Sequence, residues 1–224
     1  MMELERRRRA LMEQRAGTGL PSAYQQVEYI ETDGACRIDT GVQFDGTKNF
    51  IAEVYASQNP SISYNEATTI GWSAGGSFGF VNNGSVSLRY WYDNLNTTGI
   101  TKLTDITSKT KCEMIINAGA NTQSEFSFSN VSGTSSINRG HANVTNRLFL
   151  PTFPLFALSN ADSLTYAKNG FRIYEAKMGF GANWKSHLVP CYRKSDSIIG
   201  MYDLIKRVFR QNLGTGTFKK GADV

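Results

Sequence analysis

Residues 187–221 read H-L-V-P-C-Y-R-K-S-D-S-I-I-G-M-Y-D-L-I-K-R-V-F-R-Q-N-L-G-T-G-T-F-K-K-G. Residues 20–42 read L-P-S-A-Y-Q-Q-V-E-Y-I-E-T-D-G-A-C-R-I-D-T-G-V. Each is a text of short strands separated by turns, and together they bracket almost the whole chain. This arrangement predicts a sandwich whose terminal strands lie close together, with Tyr202, Phe209 and Phe218 in its core. Neither stretch contains a catalytic constellation.

Working outward, the composition agrees. The chain has 224 residues, of which 40% are hydrophobic and 12% aromatic, enough for one large all-β domain with a sizeable core. Only 19% are charged, and Gly is abundant, as expected for many strands joined by turns. The net charge of +5 is uneven. Arg6, Arg7, Arg8, Arg9 and Arg15 against Glu3, Glu5 and Glu13 leave +2 on the first sixteen residues, and +3 on all the rest. So weak a basic balance argues against nucleic acid as the partner of the main domain. Cys36, Cys112 and Cys191 show no metal-ligand spacing, and are expected to be reduced and buried. The N-terminus lacks the apolar core of a secretory signal, and no apolar run is long enough to span a membrane.

Residues 1–16 predict a short α-helix, free of Gly, Pro and β-branched residues, with Glu3–Arg7 and Glu5–Arg9 as favourable i,i+4 pairs. Its apolar stripe of Leu4, Leu11 and Met12 is thin, and a helix this short is marginal alone, so it should dock on a partner. The domain boundaries are therefore residues 1–19, a helical anchor and glycine linker, and residues 20–224, the sandwich. Strands are expected at Phe50 to Tyr55, Thr69 to Trp72, Ser77 to Val81, Ser85 to Tyr92, Glu113 to Ile116, Glu125 to Phe128, Leu155 to Leu158 and Phe171 to Met178. The polar stretch from Ser129 to Asn146 reads as a long loop.

Several of these pieces carry a resemblance. They are Leu20-Pro21-Ser22, Val27-Glu28-Tyr29-Ile30-Glu31, Ile38-Asp39-Thr40-Gly41, Ile70-Gly71-Trp72, Phe171-Arg172-Ile173-Tyr174 and Val189-Pro190-Cys191-Tyr192-Arg193. The most distinctive runs from Ile199-Gly200-Met201-Tyr202-Asp203 to Asn212-Leu213-Gly214-Thr215-Gly216-Thr217-Phe218. Over roughly residues 20–221 the chain resembles the concanavalin A-like (laminin-G-like) jelly-roll domains encoded in bacteriophages and prophages of gut bacteria. The resemblance implies a two-sheet antiparallel jelly-roll sandwich and a non-enzymatic structural or adhesive role. It also implies that the basic helix attaches the protein to a phage capsid or tail protein; single copies of so marginal a helix bind weakly, so a homo-oligomer is expected for avidity. The resulting place is the virion, after synthesis in the host cytoplasm. Four adjacent arginines depart from the more acidic or neutral start of that family.

Enzymatic readings find little support in the sequence. Concanavalin A-like glycoside hydrolases need a carboxylate pair, and Glu31-Thr32-Asp33 is followed by Gly34 where the pattern E-x-D-x-x-E would continue. Glu31 and Asp33 are expected to be turn and surface residues. His141 and His187 have no identifiable partners, and no D-x-D-x-D-G loop is present. No catalytic residue, metal ligand or cofactor is therefore expected; a calcium ion held by carbonyls and scattered aspartates stays open.

The strongest recognition candidate is Leu88-Arg89-Tyr90-Trp91-Tyr92-Asp93-Asn94. On a strand, Arg89, Trp91 and Asp93 share one face. A ring beside polar groups suits host or mucosal glycans, and Trp72, Asn82, Asn83 and Asn94 could join it. The alternative function is a monomeric carbohydrate-binding adhesin. Arg6 to Arg9, with Leu4, Leu11 and Met12, form the candidate surface for the virion partner.

Overall fold

Strands form where apolar and polar residues alternate. Phe50, Ala52, Val54 and Ala56 are buried while Ile51, Glu53 and Tyr55 between them are half-exposed, the period of two that a pleated strand imposes. Thr110, Cys112, Met114 and Ile116 repeat the pattern. The computed structural model describes residues 19–43, 45, 47–59, 68–72, 76–82, 86–91, 107–117, 123–140, 152–160 and 163–224. The expected helix, with Leu4, Arg6, Arg7, Arg8, Arg9, Leu11 and Met12, lies outside the described residues.

In chain order, β1 (Tyr24–Gln26), β2 (Ile30–Glu31) and β3 (Ile38–Asp39) precede β4 (Phe50–Gln58). Three strands follow, β5 (Thr68–Trp72), β6 (Gly76–Asn82) and β7 (Val86–Trp91), and then β8 (Thr110–Ile116), β9 (Gln123–Asn130) and β10 (Gly133–Gly140). Short β11 (Pro154–Leu155), β12 (Ala157–Asn160) and β13 (Ser163–Tyr166) lead to the long β14 (Phe171–Phe180) and β15 (Asn183–Arg193). The last are β16 (Ile199–Asp203), β17 (Val208–Gln211) and β18 (Lys219–Lys220). Among the described residues there is no helix.

The large sheet runs β10-β9-β8-β4-β14-β15-β16-β17, with β1 added on β15 and β2 joining β14 to β18. A second sheet runs β13-β12-β5-β6-β7, and β11 pairs with β3. All pairings are antiparallel except β12 with β5. The fold is thus all-β, and its sheets are consistent with a β-sandwich.

The inward face of the large sheet supplies most of the core. Phe50, Met114, Phe126, Phe128, Phe171 and Ile173 pack there with Phe153, Leu155 and Phe156, all at most 1% exposed. Each such side chain contributes about 1.5–3 kcal/mol through removal from water. Phe218 belongs to this cluster, and its ring centroid is 4.9 Å from that of Phe156. A smaller cluster joins Val189, Cys191 and Tyr202 to Leu20, Tyr24, Leu204 and Phe209. The expected core role of Tyr202, Phe209 and Phe218 holds, with Phe209 only partly buried. All three cysteines are free and buried.

The two terminal texts do lie together. Tyr24 pairs with Arg193, Ile30 with Lys220, and Val27 bridges Asp223. Asp33 ties them further: its carboxylate accepts from the amides of Ala35 and Thr217. Gly214 and Gly216 must be glycines here, because a Cβ at either would collide with Ala35 carbonyl oxygen or Asp33 Oδ1.

Two expectations are corrected. The segment from Ser129 is not one long loop: Asn130 to Gly133 turn β9 into β10, with Asn130 Oδ1 accepting from the Ser132 amide at 2.9 Å. Thr134, Ser135 and Ser136 follow one another in β10, a strand at the sheet edge, and such a polar run has the composition of a loop. Glu31 is not a surface residue either, being 3% exposed. Its Oε2 accepts from Arg172 Nε at 2.7 Å and from Asn59 Nδ2 at 3.0 Å, which satisfies the buried charge.

Candidate functional site

The backbone places only some of the expected recognition residues together. Trp72 ends β5 opposite Gly76, and Trp91 ends β7 opposite Ser77, so both sit at one end of the second sheet. Arg89 lies two residues before Trp91 on β7. Asn82 pairs with Val86 at the other end of β6, about 17 Å along the strand from Ser77. Asn83, Asp93 and Asn94 lie outside the described residues.

A different constellation stands on the outward face of the large sheet. Antiparallel register sets Ser127 opposite Glu113, Glu113 opposite Glu53, Glu53 opposite Lys177, and Lys177 opposite His187. This row crosses β9, β8, β4, β14 and β15, a span of about 19 Å at normal strand spacing. A second row beside it holds Ser129, Lys111, Tyr55 and Glu175.

One irregularity puts half of these groups where they are. The β4–β14 register shifts between Ile173 and Glu175, which makes Tyr174 the extra residue of a β-bulge. Before it Phe171 and Ile173 face the core; after it Ala176 and Met178 do. Without the bulge, strict alternation would turn Glu175 and Lys177 inward. The bulged Tyr174 is anchored by a 3.0 Å hydrogen bond between its hydroxyl and Ser57 Oγ.

The charges are interleaved. Lys111 Nζ lies 2.7 Å from Glu53 Oε2 and 3.7 Å from Glu113 Oε1. Lys177 Nζ lies 2.8 Å from Glu175 Oε1 and 3.8 Å from Glu53 Oε1. His187 Nε2 lies 2.8 Å from the same Glu175 oxygen. Glu53, between the two lysines, keeps only 13% of its side chain exposed. Two carboxylates directly opposed across a strand pair repel, and Lys111 relieves that repulsion.

These contacts shift the ionisation of several groups. The hydrogen bond from His187, with help from Lys177, outweighs burial and holds the Glu175 carboxyl down to about 2. Lys111 is raised by its bond to Glu53 and the charge of Glu113. Burial disfavours the charge on Lys177, but Glu175 and Glu53 outweigh it and raise its pKa. Because Glu175 is ionised at neutral pH it can only accept, so the His187 proton sits on Nε2. Nδ1 is the ring nitrogen that Glu175 does not engage. The thiols offer no competing nucleophile. Burial pushes Cys191 up to about 12 and Cys112 and Cys36 above the ordinary thiol value, so none is a thiolate at neutral pH. Among the described residues no group of three or more His, Cys, Asp or Glu could hold a metal ion.

His187 was legible in the sequence but without partners, and Glu53, Glu113 and Glu175 were not singled out. A faint signal existed: charged residues sit two apart within otherwise apolar strands, as Lys111 and Glu113 do in T-K-C-E-M-I-I. Only the register and the bulge show that these strands present their charges to one another.

No protein-family model and no curated protein matches the chain. Among solved structures, similarity is found to a scytalidoglutamic peptidase with a peptide-based transition-state analogue. It is 9% identical, covers 78% of this chain and 92% of that one, and has a TM-score of 0.40. SCP-B, a member of the eqolisin family of peptidases in complex with the tripeptide Ala-Ile-His, is 12% identical, covers 87% and 96%, and has a TM-score of 0.37. This finding corrects the expectation of a non-enzymatic virion structural protein, or of an adhesin: both of these matched structures are enzymes. The physical reason is that strand-and-turn motifs closing a sandwich specify a scaffold, and one scaffold serves unrelated activities. At such TM-scores the likeness carries no argument about the activity of this chain.

Proposed function

We propose that the outward face of the large sheet is a site for proton-transfer chemistry on an extended, uncharged polar chain. The ligand lies across β9, β8, β4, β14 and β15, and His187, oriented by Glu175, is the proton-transfer group. The observation that carries this reading is the in-register opposition of Glu53 and Glu113 beside the Glu175–His187 pair, in the middle of the sheet. Like charges directly opposed, as Glu53 and Glu113 are, work against sheet stability, and clustered ionisable groups that perturb one another are the pattern of functional surfaces. The face is close to neutral, since the carboxylates of Glu53, Glu113 and Glu175 meet the ammonium groups of Lys109, Lys111 and Lys177 beside one imidazole. Such a surface recognises hydroxyl and amide groups by hydrogen bonding rather than selecting a charged ligand. Tyr55 and Tyr174 supply apolar faces beside these groups, and Lys109 Nζ stands 5.0 Å and 5.3 Å from their ring centroids.

The finer topology belongs to the same proposal: we read the sandwich as a jelly roll, supported by the pairing of terminal strands within one sheet.

The test is amide NMR of the protein titrated with neutral oligosaccharides and with capped peptides, with mass spectrometry for cleaved or rearranged products. The expected result is shifts at Glu53, Glu113, Lys177 and His187, with product formation lost in folded His187→Asn. A panel that moves none of these amides, or turnover indifferent to His187→Asn, would leave the row as an electrostatic clamp between strands.

A further inference from the structure

Beside the β14–β15 hairpin is a groove of about 430 Å³, lined by Gly41, Gln43, Lys48, Phe180, Lys185 and Lys206 among others. It has three ammonium groups on its walls and no carboxylate among its described lining residues. Phe180, half-buried, adds an apolar wall, and Lys48 Nζ lies 5.8 Å from its ring centroid.

Two cations converge at one end. Gly41 has φ +65°, and a Cβ built on it would lie 2.8 Å from Arg210 Nη2 and 2.9 Å from Lys206 Nζ. The two positive groups therefore approach one another over a glycine that leaves them room. Lys206 is fixed there by donating to the carbonyls of Thr40 at 3.0 Å and Gly41 at 2.7 Å. Arg210 Nε is buried and makes no hydrogen bond.

Among the described residues, none of the nearby carboxylates forms an ion pair with Lys206, although the charges of Asp203 and Asp39 are felt there. Asp39 accepts from the Gly41 amide at 2.7 Å, and Asp45 pairs with Lys48 at 2.6 Å. Asp203 accepts from Ser186 Oγ and from the amides of Ile205 and Lys206. Burial lowers the Lys206 pKa, and with the charge of Arg210 it outweighs the opposing charges of Asp203 and Asp39.

We infer that this groove binds a small phosphate or sulfate ester. The oxyanion would sit between Lys206 and Arg210, Lys185 and Lys48 would flank it, and Phe180 would face the organic part. The volume suits a ligand of roughly sugar-phosphate size, and clustered cations on a glycine-opened turn suit a tetrahedral oxyanion. The site is separate from the row of carboxylates, although Lys185 and His187 are two residues apart on β15.

The experiment is amide NMR of the full chain titrated with inorganic phosphate, glucose 6-phosphate, glucose 6-sulfate and glucose. Phosphate and either ester are expected to move the amides of Gly41, Gln43, Lys185 and Lys206, with glucose leaving them still. Lys206→Met and Arg210→Met should each weaken the ester by about tenfold. Lys185→Met, on an exposed side chain with no structural bond to lose, should weaken it too and covers any misfolding of the other two. Binding should also fall as salt is raised. The proposal is overturned if these amides do not move, if glucose moves them equally, or if the folded Lys185→Met and Lys206→Met proteins bind as before. Movement of His187 alone, with the groove unmoved, also overturns it and leaves the sheet-face reading standing.

Discussion

Glu175 Oε1 on β14 is shared by His187 Nε2 and Lys177 Nζ, each 2.8 Å away. One oxygen thus fixes the tautomer of the imidazole and the position of the ammonium group, and it reaches the outward face only because Tyr174 bulges.

That sharing gives stability a pH signature. The Glu175 carboxyl is depressed from its ordinary 4.5 to about 2, so its contribution is present above pH 4.5 and is lost as pH falls towards 2. Discounted for solvent screening, the effect is about 1–2 kcal/mol. In urea unfolding, Glu175→Gln should trail the wild type by that amount at pH 6 and match it near pH 2. A gap that stays constant across the range would show that the ion pairs are not its source.

The buried pair of Glu31 and Arg172 should be far more sensitive to one-sided loss. Arg172→Met leaves a carboxylate that is 3% exposed with Asn59 as its remaining side-chain donor. The cost expected is about 3 kcal/mol, and Glu31→Gln added to it should restore part of the loss. Thermal melts of both single variants and the double variant measure the coupling.

Asp203 is fully buried and accepts from Ser186 Oγ at 2.7 Å and from the amides of Ile205 and Lys206 at 3.0 Å. Asp203→Ala should cost about 2–4 kcal/mol by stranding several donors, and Ser186→Ala only about 1. Denaturant midpoints with unchanged m-values would confirm that order.

Gly214→Ala should destabilise, where an unhindered glycine-to-alanine replacement stabilises by about 0.4–1 kcal/mol, because the new Cβ collides with backbone at Ala35. Alanine at Gly133, where nothing lies within 4 Å of the added carbon but φ is +140°, is the control for backbone strain alone. Gly214 has no positive φ, so an unchanged stability on Gly214→Ala would show that the close approach of residues 35 and 214 is unimportant.

Much of the fold could be read from alternation. Strands such as β4, β8 and β14 announce themselves because their buried face is mostly apolar, with Ser57, Gln58 and Thr110 as polar exceptions at strand ends. The closeness of the two terminal texts followed from their shared strand-and-turn character. The hairpin at Asn130 was not legible because Ser, Thr and Asn are equally at home in loops and at a solvated sheet edge. The candidate site was hidden for a different reason. Its members come from five strands, and their meeting depends on register and on one extra residue at Tyr174, neither of which a linear pattern encodes. Glu31 shows the same limit, since the arginine that makes its burial tolerable is 141 positions away.

The closure at Val27 and Asp223 has a kinetic corollary. Gln25 Nε2 donates to Val224 oxygen across 199 positions, and Thr217 to Asp33 across 184. Contacts of such sequence separation carry the full entropy of drawing a long chain together, and proteins dominated by them fold slowly. The edge of the large sheet must wait, half-made, until residues near 220 are available, and refolding should be limited by this final stitching rather than by any local hairpin.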